Sequence, residues 1–494
     1  MTPEALPIRF EDWGWRHAGR SAWAVRHVTL RIDPGERVLL LGASGAGKST
    51  LLSALAGVLG GGDEGEEEGR VLLGWERPTT RRGATALVMQ NPSDQIVLSR
   101  VGDDVAFGCE NLAVPRDEIW PRVRRALDEV GLANYQLRHD TRHLSGGEQQ
   151  RLVLAGAMAM GAGILLLDEP TANLDPAGVV EVRDAVARLL ADRRRSLVVV
   201  EHHGNVWAPL VDRVVVVSGE DGVVADGPVD EIVARQGSEL ADLGVWLPAL
   251  HGTTVTISRQ SCSTHDPAGS MLNPQPLLTA TNLSVGHDGV ACLSGLDLAL
   301  PKGRSTVITG PNGAGKTTTA LTLAGLLPRL GGSVAMADPW APPGRPDPTT
   351  WKSKELLTRI GTVFQQPEHQ FVAASVADEI AVGLRALKRP QAEIDRRVAE
   401  LLETLHLHPL AQANPFTLSG GEKRRLSVGT VLATDPALIV LDEPTFGQDR
   451  RTWRDLVALI ASLRDAGTTI CSVTHDAAYI EALGDHRIHL GGGQ

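Results

Sequence analysis

An α/β fold built from two consecutive copies of one unit is what the sequence predicts, on three observations. Two glycine-rich loops, Gly42-Ala43-Ser44-Gly45-Ala46-Gly47-Lys48-Ser49-Thr50 and Gly310-Pro311-Asn312-Gly313-Ala314-Gly315-Lys316-Thr317-Thr318, each follow an apolar run and open a helix-like one. Further landmarks then recur in the same order behind both loops. At 494 residues the chain has room for two or three domains, each with its own core.

The elements follow in order. Val38-Leu39-Leu40-Leu41 reads as a buried strand, and Leu51 to Ala56 as a helix that Gly57 is placed to end. Between them, glycines let successive backbone N–H groups curl around phosphates, and the helix N-terminus adds partial positive charge. Lys48 then reaches the β- and γ-phosphates, and the Ser49 hydroxyl is the natural Mg²⁺ ligand. An accidental glycine-rich turn would not come with strand, full motif and helix in sequence, so this is read as a nucleotide site. The second loop follows a strand at residues 305–309 and opens a helix ending near Gly325, which gives Lys316 and Thr317 the same places. Residues 60–69, Gly-Gly-Gly-Asp-Glu-Gly-Glu-Glu-Glu-Gly, read as an acidic surface loop rather than a metal site. Residues 339–348 form a comparable proline-rich insertion.

The repeat continues past the loops. Val88-Met89-Gln90-Asn91-Pro92 pairs with Val363-Phe364-Gln365-Gln366-Pro367, and Leu144-Ser145-Gly146-Gly147-Glu148 with Leu418-Ser419-Gly420-Gly421-Glu422. An apolar run ending in Asp168-Glu169-Pro170-Thr171 pairs with one ending in Asp442-Glu443-Pro444-Thr445. His202 pairs with His475, each just after a β-branched strand; His203 is a rival that register disfavours. The expected division is a first domain at 1–249, a linker at 250–276 rich in Thr, Ser, Gly and Pro, and a second domain at 277–494. Residues 212–236 should add short strands and a helix to the first half. The second half runs only a little past His475, and no third, regulatory domain is expected.

Composition excludes some classes. A net charge of −11 advertises no basic surface for nucleic acid or anionic lipid. Residues 1–10 have no apolar leader core. The longest uncharged stretch, 152–167, is interrupted by Gly156, Gly161 and Gly163, and its counterpart contains Asp435 and Pro436, so no membrane helix is expected. Cys109, Cys262, Cys292 and Cys471 lie far apart without metal-ligand spacing and read as reduced thiols.

The chemistry assigns the landmarks. Asp168 and Asp442, at strand ends beside the phosphate loops, suit the Mg²⁺ shell. Glu169 and Glu443, one residue on, are placed to polarise an attacking water. Gln90 and Gln365 can touch both metal and water. Ser145-Gly146-Gly147 and Ser419-Gly420-Gly421 should open helices and present N–H groups to a γ-phosphate.

The whole set, twice over, resembles two ABC ATPase domains in one chain, Leu-Ser-Gly-Gly-Glu being the family's signature sequence. The resemblance implies, for each half, a mainly parallel sheet core, a helical signature subdomain and a small antiparallel β part, with ATP and Mg²⁺ as cofactors. It implies that His202 and His475 bridge the γ-phosphate to the opposite half. It also implies two composite sites assembled head to tail, Lys48 sharing a nucleotide with Ser419 and Lys316 with Ser145. Family members place an aromatic ring on adenine; here that column holds His17 and His287, with Trp13 and Trp15 close by.

The glutamine segments, Gln90 to Gln95 and Gln365 to Gln370, resemble those of energy-coupling-factor (ECF) importers of vitamins and metals. So do Val101 to Gly108, Val376 to Gly383, and Pro444-Thr445-Phe446-Gly447-Gln448-Asp449. The resemblance implies a peripheral ATPase on the cytoplasmic side of the cell membrane. Its partners would be a membrane scaffold (T-type) subunit and a small substrate-binding membrane subunit, with no nucleic acid. Asp103, Asp104, Asp378 and Glu379 would suit arginines on the scaffold, unless they are only solvated helix starts. A soluble tandem ABC protein of translation or DNA repair would want a basic surface or a helical connector. A fused sugar-importer ATPase usually has a degenerate second phosphate loop, whereas Gly310 to Thr317 is intact. Cargo, chosen outside this chain, is left open among vitamins, vitamin precursors and transition metals.

Overall fold

The computed structural model describes residues 5–20, 22–60, 63–172, 174–201, 204–247 and 275–491. The chain divides into two compact units, one for each copy of the repeat.

The first unit runs β1 (Ile8–His17), β2 (Val25–Ile32), β3 (Arg37–Leu41), α1 (Lys48–Leu55), β4 (Gly65–Leu73), β5 (Thr85–Val88), α2 (Val101–Asn111), α3 (Arg116–Glu129), α4 (Gly146–Met160), β6 (Ile164–Asp168), α5 (Pro176–Leu189), β7 (Ser196–Val200), β8 (Arg213–Ser218), β9 (Gly222–Gly227) and α6 (Val229–Asp242). Its main sheet has the order β5-β6-β7-β3-β8-β9, parallel except for the closing β8–β9 hairpin. Strands this apolar, such as Ser196-Leu-Val-Val-Val, are buried on both faces, as a covered parallel sheet requires. Alternation along β3 assigns the faces. Val38 and Leu40 pack with α1 and the small antiparallel sheet β2-β1-β4, while Leu39 and Leu41 pack towards α2 to α5. Each such side chain contributes about 1.5–3 kcal/mol by burial.

The second unit runs β10 (Pro276–His287), β11 (Val290–Pro301), β12 (Ser305–Thr309), α7 (Lys316–Leu323), β13 (Gly331–Met336), α8 (Ser353–Leu357), β14 (Ile360–Val363), α9 (Val376–Ala386), α10 (Gln391–Thr404), α11 (Gly420–Leu432), β15 (Leu438–Asp442), α12 (Arg450–Asp465), β16 (Thr469–Val473), α13 (Ala477–Leu483) and β17 (His486–His489). Its main sheet, β14-β15-β16-β12-β17, is wholly parallel, and β11-β10-β13 forms the small antiparallel sheet. In both units the phosphate loop leaves a central strand at its C-terminal end, where open α/β sheets bind ligands.

Several expectations change. The acidic stretch 60–69 is not loop throughout. From Gly65 onward it is strand β4, whose Glu66, Glu67 and Glu68 are taken by Arg16, Arg77 and Arg26. Local arginines make strand pairing compatible with so much like charge. The proline-rich insertion also packs inward, burying Ala341 against the second core with Trp351. The uncharged stretch 152–167 splits into the end of α4, a left-handed Gly161 (φ 78°) and β6. Among the described residues no helix is long and apolar enough to cross a membrane. Residues 212–236 do form strands and a helix, β8, β9 and most of α6, but β8 has its counterpart in β17, so only β9 and α6 are additions. The linker at 250–276 lies outside the described residues, save its last two positions.

Candidate functional site

Each phosphate loop joins the end of a buried strand to a helix whose first residue is its lysine. Gly47 (φ 82°) and Gly315 (φ 77°) hold left-handed backbone at the helix start. A Cβ on Gly47 would lie 2.6 Å from the Val25 Cβ, so side chains are excluded there twice over. Lys48 Nζ donates to the carbonyls of Gly42 (2.8 Å) and Ala43 (2.9 Å). Lys316 Nζ does the same to Gly310 and Pro311, both at 2.9 Å. Both lysines are buried, and burial lowers the Lys48 pKa against the pull of Glu169 and Asp168. The loop thus aims its cation inward before any anion arrives.

The carboxylates stand at the ends of strands one removed from the loop strands, Asp168 on β6 and Asp442 on β15. Thr317 Oγ1 donates to Asp442 Oδ1 at 3.2 Å, a hydroxyl and a carboxylate side by side. Hard oxygen donors with room left for phosphate oxygens suit Mg²⁺. Among the described residues no group of three or more His, Cys, Asp or Glu gathers as a protein-only metal cage.

Glu169 (φ 47°) and Glu443 (φ 45°) both hold left-handed backbone, and their N–H groups bond to the last carbonyls of the adjacent strands, Val200 and Val473. Non-glycine residues adopt this region at a cost, which turns each side chain out of line with its strand. Gln90 Nε2 donates to Glu169 Oε2 at 2.7 Å, bringing two expected site residues together. In the second unit His475 Nε2 lies 4.0 Å from Glu443 Oε1. Burial pushes Glu443 up to about 7, Asp442's charge adds to the rise, and a hydrogen bond with Thr474 opposes it. His202 lies outside the described residues.

Ser145 and Ser419 are the N-caps of α4 and α11, and each forms a capping box with the glutamate of its own motif. Ser145 N donates to Glu148 Oε2 and Ser419 N to Glu422 Oε2, both at 2.8 Å. The final glutamate of Leu-Ser-Gly-Gly-Glu is therefore taken up locally, while Ser145, Gly146, Ser419 and Gly420 stay exposed at helix starts.

One open alternative closes here, since imidazole or indole could each have stacked on adenine, and one expectation fails. Trp13 and Trp15 are buried in the first core, so neither indole offers a face to adenine, whereas His17 and His287 are exposed. Trp15 Nε1 donates to His17 Nδ1 at 3.2 Å, and His287 Nε2 is 3.2 Å from Thr318 Oγ1 of the phosphate loop. Asp104 and Glu379 are not waiting for partner arginines. Asp104 Oδ1 accepts from Val97 N and Leu98 N, both at 2.9 Å. Glu379 Oε2 accepts from Val372 N (2.8 Å) and Ala373 N (2.6 Å). Of the four acidic residues, Asp378 is also engaged, by Arg385 at 2.7 Å, and Asp103 is the most loosely held, 3.9 Å from Arg100.

Sequence reasoning missed the groups that brace the site. Gln95 and Gln370 stitch the glutamine segments back to their strands, through Met89 N and Leu87 O in one unit and Phe364 N and Thr362 O in the other. Their recurrence five residues after Gln90 and Gln365 was the available signal. A second brace joins a threonine, a carboxylate and an indole. Thr171 Oγ1 donates to Glu201 Oε2 at 2.5 Å, and Trp207 Nε1 to the same oxygen at 3.3 Å. In the other unit Thr445 Oγ1 (2.8 Å) and Trp453 Nε1 (2.6 Å) both donate to Asp476 Oδ2. The carboxylate precedes the histidine position in one half and follows it in the other, so alignment by motif hides the match.

Comparison with known proteins agrees with this geometry. The profile of the family described as ABC transporter matches residues 25–172 and 293–446. The chain is 32% identical to the Bacillus subtilis protein named "Putative HMP/thiamine import ATP-binding protein YkoD", covering 93% of this chain and 85% of that one. It is 33% identical to a "Putative ABC transporter ATP-binding protein" of Methanosarcina acetivorans, over 95% of this chain and 82% of that one. Among solved structures, RNase-L Inhibitor has the same fold, with a TM-score of 0.62 and 21% identity over 97% of this chain and 87% of that one. With both phosphate loops, both strand-end carboxylates and both signature helices in place, the chain belongs to the ABC transporter family as a tandem ATPase that uses ATP and Mg²⁺.

Proposed function

We propose that this ATPase, with domains 1–249 and 277–494 and a linker at 250–276, energises an ECF-type importer from the cytoplasmic face of the membrane. Glu169 and Glu443 act as bases towards water. Lys48 and Lys316 hold phosphate, Ser49, Thr317, Asp168 and Asp442 face the metal with Gln90 and Gln365, and His202 and His475 face the γ-phosphate. Mg²⁺, when bound, neutralises charge developing on the transferred phosphoryl group. By family resemblance each signature serine completes the opposite half's site, Ser419 with Lys48 and Ser145 with Lys316.

One observation carries the importer reading. Both units present the same valine just past the glutamine segment, Val97 at 61% exposure and Val372 at 76%, on backbone that Asp104 or Glu379 grips from below. A rigid, exposed apolar point beside the catalytic glutamine suits docking of a helix from a membrane scaffold. The B. subtilis relative's name points to HMP or thiamine as the class of cargo. Likeness to RNase-L Inhibitor, at 21% identity, speaks for the fold alone.

The test is the double variant Val97→Asp, Val372→Asp, expressed with a T-type scaffold and a substrate-binding membrane subunit that co-purify with the unaltered chain. ATP hydrolysis in solution should persist, while co-sedimentation with membranes and uptake are lost. Retained uptake with normal membrane association overturns the docking reading.

A further inference from the structure

The two glutamine segments are fastened to their signature helices by different chemistry, although each segment and each helix start matches its counterpart residue for residue. In the second unit Arg424, on α11 and 2% exposed, donates Nη1 to Phe364 O (2.7 Å) and Nη2 to Gln365 O (2.6 Å). Lys423 pairs with Glu368 at 2.9 Å, and Ser427 Oγ donates to Gln370 Oε1 at 2.6 Å. In the first unit the corresponding residues of α4 are Gln149, Gln150 and Val153. Among the described residues, the one side-chain hydrogen bond from α4 to that segment joins Ser93 Oγ and Gln149 Oε1 at 3.2 Å. Gln150 is 1% exposed, and its Nε2 has no hydrogen-bond partner.

A buried guanidinium is costly unless its donors are met, and here two are met by adjacent backbone carbonyls of one loop. Burial holds Arg424 down to about 10, so it stays charged at neutral pH, with Asp442, Glu368 and Glu443 favouring the charge. Its fork fixes the two peptide planes that flank the Gln365 Cα, which set where that side chain starts.

We propose that Arg424 is a positioning residue for Gln365, so that the second-half glutamine moves as one body with its signature helix while the first-half glutamine does not. The proposal rests on the reading of Gln365 as a residue facing metal and water. It assigns the two ATP sites unequal mechanics from a single aligned position, Arg424 against Gln150.

The experiment uses the full chain, 8-azido-ATP and vanadate, with trapped label counted separately on peptides from each half. Arg424→Gln installs the residue that the first half carries. It should lower the rate of second-half labelling relative to first-half labelling by roughly 5–20-fold, with ATP affinity within about twofold. Gln365→Ala should do the same, and the double variant Arg424→Gln, Gln365→Ala should be no worse than Gln365→Ala alone. Arg424→Lys, which keeps the charge but not the fork, should fall between, and it serves as the test if the glutamine variant does not fold. A wild-type labelling ratio in Arg424→Gln or Arg424→Lys, or additive losses in the double variant, overturns the proposal while leaving Gln365's role intact. A wild-type ratio in Gln365→Ala overturns it together with the reading of Gln365.

Discussion

Glu443 carries the sharpest consequence at the scale of one residue. A general base works best with a pKa near the working pH, and burial places this carboxyl at about 7. The sign for catalysis is that the base is active when deprotonated. We expect kcat/KM to fall as pH drops through about 7, and that limb to weaken in Glu443→Gln; a flat profile from pH 6 to 8 in the wild type would count against Glu443 as the base. The sign for stability is opposite. The folded carboxyl titrates above its ordinary 4.5, so the native state is favoured below that pH and loses stability as pH rises towards 7. Glu443→Gln should therefore be the more stable protein at pH 8, by at most about 3 kcal/mol, and the gap in melting temperature should close at pH 4.5. The position of Glu443 was legible from the strand-end Asp-Glu pair. Its left-handed φ and its titration were not, because both depend on what packs around it.

Among the elements, the glutamine segments show how a legible pattern acquired the wrong purpose. The acidic pairs at the starts of α2 and α9 stand out in sequence, and charge at a helix start is ordinarily solvated or partner-facing. One member of each pair instead turns back to take two backbone N–H groups from the preceding loop. Sequence shows which residue is acidic but not which way it points. Removing Glu379 strands two donors in a half-buried loop, so Glu379→Ala should cost about 1–3 kcal/mol, whereas Asp103→Ala should stay within about 0.5 kcal/mol. Urea unfolding of the two variants checks this; equal losses would mean that Glu379 braces nothing. The strands and their helices, by contrast, were read closely. Residues 305–309 came out as β12, and the signature serines came out as helix caps. Both features follow from apolar runs and capping chemistry, which are local. Strand β4 was missed because its glutamates look like loop until Arg16, Arg26 and Arg77 arrive from elsewhere in the fold.

For the molecule as a whole, duplication was the most legible fact, since it needs only self-comparison. The proposed role of Glu169 and Glu443 as bases predicts that Glu169→Gln with Glu443→Gln lowers turnover by roughly 10²–10⁴-fold while ATP still binds. Near-normal hydrolysis in that double variant would remove both glutamates from the chemistry. What self-comparison conceals is where the halves reach one arrangement by different residues. The brace between the threonine of the Asp-Glu-Pro-Thr motif and the histidine-bearing segment uses Glu201 in one half and Asp476 in the other. These carboxylates do not occupy matching positions. A crossover at the histidine between the two coding halves would consequently yield one gene whose product has both carboxylates and a reciprocal gene, reading Thr474-His475-His203, with neither. The first product keeps the Thr171–Glu201 bond and loses only the Trp207 indole, whereas the reciprocal product leaves Thr445 and Trp453 without their acceptor, so exchange at this point is tolerable in one direction and damaging in the other.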